Sequence, residues 1–557
     1  MSRGHRVMAV ALTIALLIGF AVAGHERRGG TSVVAGSNTA LAAAMPVAAP
    51  AGALSSTYYC AGGAADGGDL DATIVIANPN DRAVTATVTV FPGAVDGDAK
   101  GAPVVAALAP TVTSVTVATH ARAELGLTSV MSAPFAAALV EVDSGLVAVE
   151  RRVNGARGLS TGPCSSSTSN RWYLPSGVTA IDARELLAVF NPFADDAVVD
   201  IAFATSDGFR GPPPTQGYVV PARHLALVDV GIVAGRHDQV ATQVVARRGR
   251  VVVDRLQSFD GSNASRPASV AVTAAAPSIA PVWSFPQGDV AEGLSETYAL
   301  FNPSSESATV DLEIALADPA TNGTTDPIAV DVPADGYTLV DIAQQPRVPK
   351  GVAHSVVVRG RAGPDVVPER ILLATTAAGR TGFGPALGSP LVARTWLFAD
   401  GRADETTADW LTILNASADS IARVDVAELA QGQAVPIDGL QHLEVPPGGR
   451  VEIELGTRVN RASLAFVVTS DLPVVAERGL FATTGPGLCL ALGVPLPDGL
   501  ERPLRNSVPT TTTSAPATTS SSTTAVTTTS TSTSTTTTST STTTTTSTTT
   551  TTTPPPN

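Results

Sequence analysis

Apolar and polar positions alternate with a period of two along most of the chain, and a helical period of 3.6 is almost absent. Ala197 to Phe203 (AVVDIAF) and Thr309 to Ile314 (TVDLEI) place apolar side chains at every second position, as a half-buried strand does. Each of these strands follows an asparagine turn. The lines are IVIANPNDRAVTATVTV (Ile74 to Val90), LAVFNPFADDAVVDIAF (Leu187 to Phe203), YALFNPSSESATVDLEI (Tyr298 to Ile314) and LTILNASADSIARVDVA (Leu411 to Ala427). Asn before Pro is pushed to extended geometry and Pro cannot continue a central strand, so each Asn-Pro marks a turn between two strands. Asn415-Ala416 keeps the Asn and lacks the Pro. Further on come strand pairs such as VVPARHLALVDV (Val219 to Val230), then an apolar strand and a strand ending in acid-Arg: LVAVERRV, VVVDRLQ, VVPERIL and VVAERGL.

Asn78, Asn191, Asn302 and Asn415 are 113, 111 and 113 residues apart, so one unit is written four times. Each unit opens on aromatics: Tyr58-Tyr59, Trp172, Trp283 and Trp396. About seven strands in roughly 110 residues predict an all-β fold of four tandem immunoglobulin-like β-sandwiches. The expected units are 57–168, 169–280, 281–393 and 394–500. A propeller, splitting each unit into two four-stranded blades, is the rival; without an internal half-period the sandwich is preferred. A rod-like array of the four units is expected.

The ends have a different character. Arg3 and Arg6 precede an apolar run from Val7 to Val22, and Ala21-Val22-Ala23 fits a small-x-small cleavage pattern, so residues 1–23 read as a signal peptide or a signal anchor. Residues 24–56 are rich in Ala, Gly, Ser and Pro and read as a flexible linker. Residues 501–557 are almost wholly Thr and Ser from Val508 to Thr553, a composition of disordered, O-glycosylated stalks.

Composition narrows the function. The net charge is −14 with no basic stripe, which argues against nucleic acid as a partner. Three cysteines are compatible with an oxidising compartment. Cys60 opens the first unit and Cys164 closes it, so this pair is the preferred disulfide; Cys60 with Cys489 is the alternative.

The most uniform polar feature is the acid-Arg pair: Glu150-Arg151, Asp254-Arg255, Glu369-Arg370 and Glu477-Arg478. An upstream acid on another strand recurs as Glu124, Asp229, Asp341 and Glu454. Paired acids raise glycoside hydrolysis, but an active site is seldom copied into four tandem units. The expected reading is structural: Glu124 with Arg151, Asp229 with Arg255, Asp341 with Arg370, and Glu454 with Arg478. Gly158-Leu-Ser160-Thr-Gly162 matches a nucleophile elbow in letters, but Pro163 and Cys164 stand where a helix is required. Acid-rich loops (Asp66, Asp69 and Asp71; Asp289, Glu292 and Glu296; Asp400, Asp404 and Asp409, with Asp182 and Glu185 in the second unit) read as solvated rather than Ca²⁺-binding. Seven histidines have no ligand spacing, and neither a phosphate loop nor a dinucleotide fingerprint is present. Neither a cofactor nor a metal is expected. The opening tryptophans read as packing residues rather than sugar-stacking ones.

The ordered set W-[YF]-x-[PA]-x-G, L-x-N-P, V-P-[A/P]-G-x-x-x-[VI]-[DE]-[LVI] and P-V-V-A-E-R, with TYYCAGG (Thr57 to Gly63) and the TGPC around Cys164, resembles the actinobacterial exported proteins of the family DUF5719. The resemblance spans about Ser56 to Gly499 and implies export and an envelope setting, with no catalytic residues. The expectation is therefore a non-catalytic exported protein of the cell envelope or surface, for scaffolding, adhesion or glycan contact. A secreted carbohydrate-active enzyme or carbohydrate-binding protein is the alternative. Partners would be an envelope glycan or protein, with possible membrane anchoring by residues 7–23.

Overall fold

The computed structural model describes residues 41, 43–95, 109–317, 325–430 and 432–504. The expected signal segment, most of the linker and the Thr/Ser tail lie outside them. Among the described residues no helix is long and apolar enough to cross a membrane.

The fold is all-β, and each unit is a two-sheet sandwich. An opening strand (Ser56–Cys60, Arg171–Leu174, Val282–Gly288, Ala393–Ala403) belongs to the first sheet. The asparagine strand (Ala72–Asn78, Ala183–Asn191, Leu294–Asn302, Thr407–Asn415) lies at the heart of the second. There it pairs on one side with the acid-Arg strand, as Ala188 with Asp254 and Leu187 with Arg255. The acid-Arg strands are Ala148–Gly155, Val252–Phe259, Val367–Ala374 and the second half of Arg461–Ala482. A closing strand completes this sheet: Gly158–Pro163, Ser269–Ala274, Gly382–Leu387 and Leu488–Leu492. Immunoglobulin sheets group their strands differently, with the second strand beside the first and fifth. Here the opening strand pairs across the first sheet, as Phe285 with Val356, and the asparagine strand is in the other sheet.

Each asparagine is buried and performs one task. The Asn191 amide donates to the carbonyls of Asp195, Val220 and Pro221, and its Oδ1 accepts from Phe193 N. Asn78, Asn302 and Asn415 repeat the pattern. The side chain thus pairs three carbonyls that the turn would otherwise bury without donors. This explains how Asn415 serves with Ala416 in place of Pro.

The four sandwiches do not form a rod. Closing strands of consecutive units pack on one another, and that of the fourth packs on that of the first, so the array closes into a ring. The asparagine and acid-Arg strands are near-continuous buried runs, so their sheet is buried on both faces and needs a neighbour. A ring supplies one to every unit, whereas a rod leaves one face bare. At the axis the closing strands enclose a small, mainly apolar cavity of about 90 Å³, lined by Thr161, Val272, Ala386 and Leu490 among others.

Part of the expected flexible linker is also ordered. Ala44, Met45, Val47 and Ala48 are buried and pack with Leu391 and Trp396, where the third unit passes into the fourth, or with Val75 and Leu397 at the junction of the first and fourth. Ala48 N donates to Pro495 O, and Leu146 N donates to Ala49 O. This strap therefore crosses the seam where the last unit meets the first.

Candidate functional site: four buried arginine nodes

On a strand, adjacent side chains point to opposite faces. Acid-Arg as neighbours therefore sends the acid to one side of the sheet and the arginine to the other. Each arginine reaches the acid of the next unit: Arg151 to Asp254, Arg255 to Glu369, Arg370 to Glu477, and Arg478 back to Glu150. The Arg255 Nη2–Glu369 Oε1 distance is 2.6 Å and Arg478 Nη2–Glu150 Oε2 is 2.9 Å, and all four side chains are fully buried.

Backbone amides of the preceding unit's opening segment complete each node. Gly62 N donates to Asp254, Ser176 N to Glu369, Gln287 N to Glu477 and Ala399 N to Glu150. The carbonyls of Ser176 and Gln287 accept from Arg255 and Arg370. A buried ion pair needs such extra bonds to offset desolvation.

The expected intra-unit pairs do not form. Ile74 is in register with Arg151 but Val75 with Glu124; Thr297 faces Asp341 but Tyr298 faces Arg370. Registering with successive residues of the central strand puts each acid and arginine on opposite faces and two strands apart. Glu124 instead binds Arg122 and Arg152, and Asp229 binds Arg184. Asp341 accepts from Ala343 N, and the Glu454 carbonyl accepts from Thr457.

A second carboxyl enters three nodes from six residues before the asparagine: Glu185, Glu296 and Asp409, with Ala72 in the first unit. All three acids are fully buried, which overturns their reading as solvated loop residues. The last glycine of the aromatic motif makes room for them. A Cβ on Gly177 would lie 2.3 Å from Glu185 Oε2, on Gly401 2.7 Å from Asp409 Oδ2, and on Gly63 2.6 Å from the Cβ of Ala72. Burial pushes Glu185 up to about 8 against the pull of Arg255, and Asp409 up to about 7 against that of Arg478. Burial would raise Glu296 too, but His354, Arg370 and the Tyr298 hydroxyl bring it below the ordinary range. Asp400 is also buried and binds Arg122 and Arg152 of the first unit.

Cys60 and Cys164 form a disulfide, with Cα atoms 4.8 Å apart, and Cys489 is a buried free thiol against Thr161. Trp172, Trp283 and Trp396 are fully buried and donate through Nε1 to the carbonyls of Val251, Val366 and Val474. Ser160 of the elbow-like motif sits in a strand, bonding Val272 of the next unit. Among the acid-rich loops, Asp66 and Asp71 accept from local backbone amides, and no group of three or more metal-ligating side chains occurs among the described residues. A polar cleft of about 340 Å³ lies between the first and fourth units, lined by Arg152, Asn154, Asp400, Arg402, Thr406 and Thr407.

No curated protein matches the chain. Among solved structures, the crystal structure of Thermotoga maritima 1070 is similar at 17% identity, over 20% of this chain and 93% of that one, with a TM-score of 0.17. Residues 144–256, running from just before the first acid-Arg strand to Leu256 in the second, match the model of a family of unknown function, DUF5719.

Proposed function

We propose that this is a non-catalytic exported protein of the cell envelope or surface, with a scaffolding, adhesion or glycan-contact role. The observation that supports the reading is the use of its most repeated polar groups. The four arginines and their acids are consumed in joining one unit to the next. The ring then presents sandwich ends and loops outward as a rigid frame. Fractionating the native host and taking intact masses tests this. A chain starting near Gly24 in the medium, or one retaining its N-terminus in the membrane fraction, supports it; a chain confined to the cytoplasm overturns it.

The polar cleft between the first and fourth units favours a second reading, a carbohydrate-binding or carbohydrate-active protein. Its arginines, Asn154 and threonines supply the donors and acceptors a sugar hydroxyl needs. Glycan-array binding lost in Thr406→Val or Asn154→Leu supports this reading, and unchanged binding in both removes it.

A further inference from the structure

The four nodes differ in charge. The node between units one and two holds one arginine, Arg151, and one acid, Asp254, because Ala72 stands where the others carry a second carboxyl. The node between units three and four holds Arg370, Glu477 and Glu296, and there His354, a second cation when protonated, lies 3.0 Å from Glu296. Glu296 also accepts from the Tyr298 hydroxyl and from Asp289 N.

The other two nodes have no such compensation. Between units two and three, Glu185 faces Arg255, Glu369 and Asp229, and neither of its oxygens has a hydrogen-bond partner among the described residues. Between units four and one, Asp409 faces Arg478, Glu150 and Asp400; its Oδ2 accepts from Arg402 N and its Oδ1 is unpartnered. Asp229 is paired with Arg184, and Asp400 with Arg122 and Arg152, so in both nodes a single buried guanidinium is left to two buried carboxyls. Position matters as well, because these two nodes lie on opposite sides of a four-membered ring.

Backbone bonding follows the same division. Units one and two share a parallel ladder, Leu225 with Gly93 and Leu227 with Val95. Units three and four share a bridge, with Gly487 N donating to Thr381 O. Among the described residues, backbone pairing between units two and three is limited to one bridge, Ala280 with Val366, where the chain passes from one to the other, and no backbone hydrogen bond joins unit four directly to unit one.

We propose that the ring is built as two half-rings, units one with two and units three with four, joined at two proton-controlled seams through Glu185 and Asp409. With both carboxyls protonated, each seam carries one arginine and one carboxylate and is closed. Loss of those protons leaves two buried carboxylates to share one guanidinium at each seam, and the seams loosen together along one diameter.

The sign follows from linkage. Both groups bind protons more tightly folded than unfolded, Glu185 rising from 4.5 to about 8 and Asp409 from 3.8 to about 7. Their contribution is fully present below about pH 4 and is lost as pH rises through 7 to 8.

Hydrogen exchange on the full chain at pH 6 and pH 9, corrected for intrinsic rates, tests the proposal. The informative amides are those bound to the node acids. Ser176 and Ala399 report the two seams, and Gly62 and Gln287 report the junctions within half-rings. Peptides covering Ser176 and Ala399 are expected to lose protection by on the order of tenfold or more at pH 9. Peptides covering Gly62, whose node has neither a second carboxyl nor a histidine, stay unchanged. The near-isosteric pair Glu185→Gln and Asp409→Asn should hold the seams closed at pH 9. Equal loss at Gly62, no loss at Ser176 and Ala399, or the same loss in the double variant would overturn it. The wild-type comparison of these amides decides the matter even where the variants do not fold.

Discussion

Arg478 in the last unit donates to Glu150 in the first across 328 positions of chain, at 2.9 Å and with both side chains shielded from solvent. The same contact joins unit one to two, two to three and three to four, so one residue pair, repeated, makes every junction of the ring. Arg478 also stands over the ring of Phe398, and Arg370 over Phe285, so the guanidinium is packed as well as paired.

Breaking the closing pair on one side isolates a buried charge. Arg478→Met is expected to cost about 3–5 kcal/mol, whereas Arg478→Met with Glu150→Leu recovers most of that loss. Urea denaturation midpoints of the two variants and wild type give the comparison. A single variant within about 1 kcal/mol of wild type would show that the seam is not held by this pair.

The turn asparagines should be sensitive to the loss of their donors rather than of their volume. Asn191→Ala strands the carbonyls of Asp195, Val220 and Pro221 and is expected to cost about 2–4 kcal/mol. Asn191→Asp keeps the shape but faces those carbonyls with an acceptor, so it should be worse than Ala at pH 7. Thermal unfolding of both variants checks the order, and Asp as mild as Ala would refute the account.

Cysteine chemistry should be silent in the folded state. Burial pushes the Cys489 thiol up to about 11. Native protein at pH 8 is expected to take no iodoacetamide; unfolded protein takes one, and unfolded, reduced protein takes three. Intact mass reads all three numbers, and alkylation of the native chain would contradict the burial. Replacing Cys60 and Cys164 by Ala should lower stability by about 2–5 kcal/mol, since the bond closes a loop of 104 residues.

Removing residues 24–53 deletes the strap across the seam. Met45 and Val47 alone bury enough apolar surface for a loss of about 3–5 kcal/mol. The denaturation midpoint measures it, with an unchanged midpoint meaning that the strap is not a structural part of the ring.

The amino-acid sequence by itself determined the strands, the fourfold repetition, the turn at each asparagine and the placement of acid and arginine on opposite faces of one strand. Those are local matters: a period of two, an Asn-Pro dipeptide and a fixed spacing are all written within one unit. What the arginines meet was decided only in three dimensions. Their partners lie 103, 114, 107 and 328 positions away, and alternation states which face a side chain leaves by, not what waits opposite. Glu185, Glu296 and Asp409 read as loop acids because nothing in their immediate neighbours marks burial. The signal was the glycine ending each aromatic motif, whose missing Cβ makes the space they occupy. The ring itself came from two-sided burial: each asparagine/acid-Arg sheet is buried on both faces, and only closure covers both in all four units.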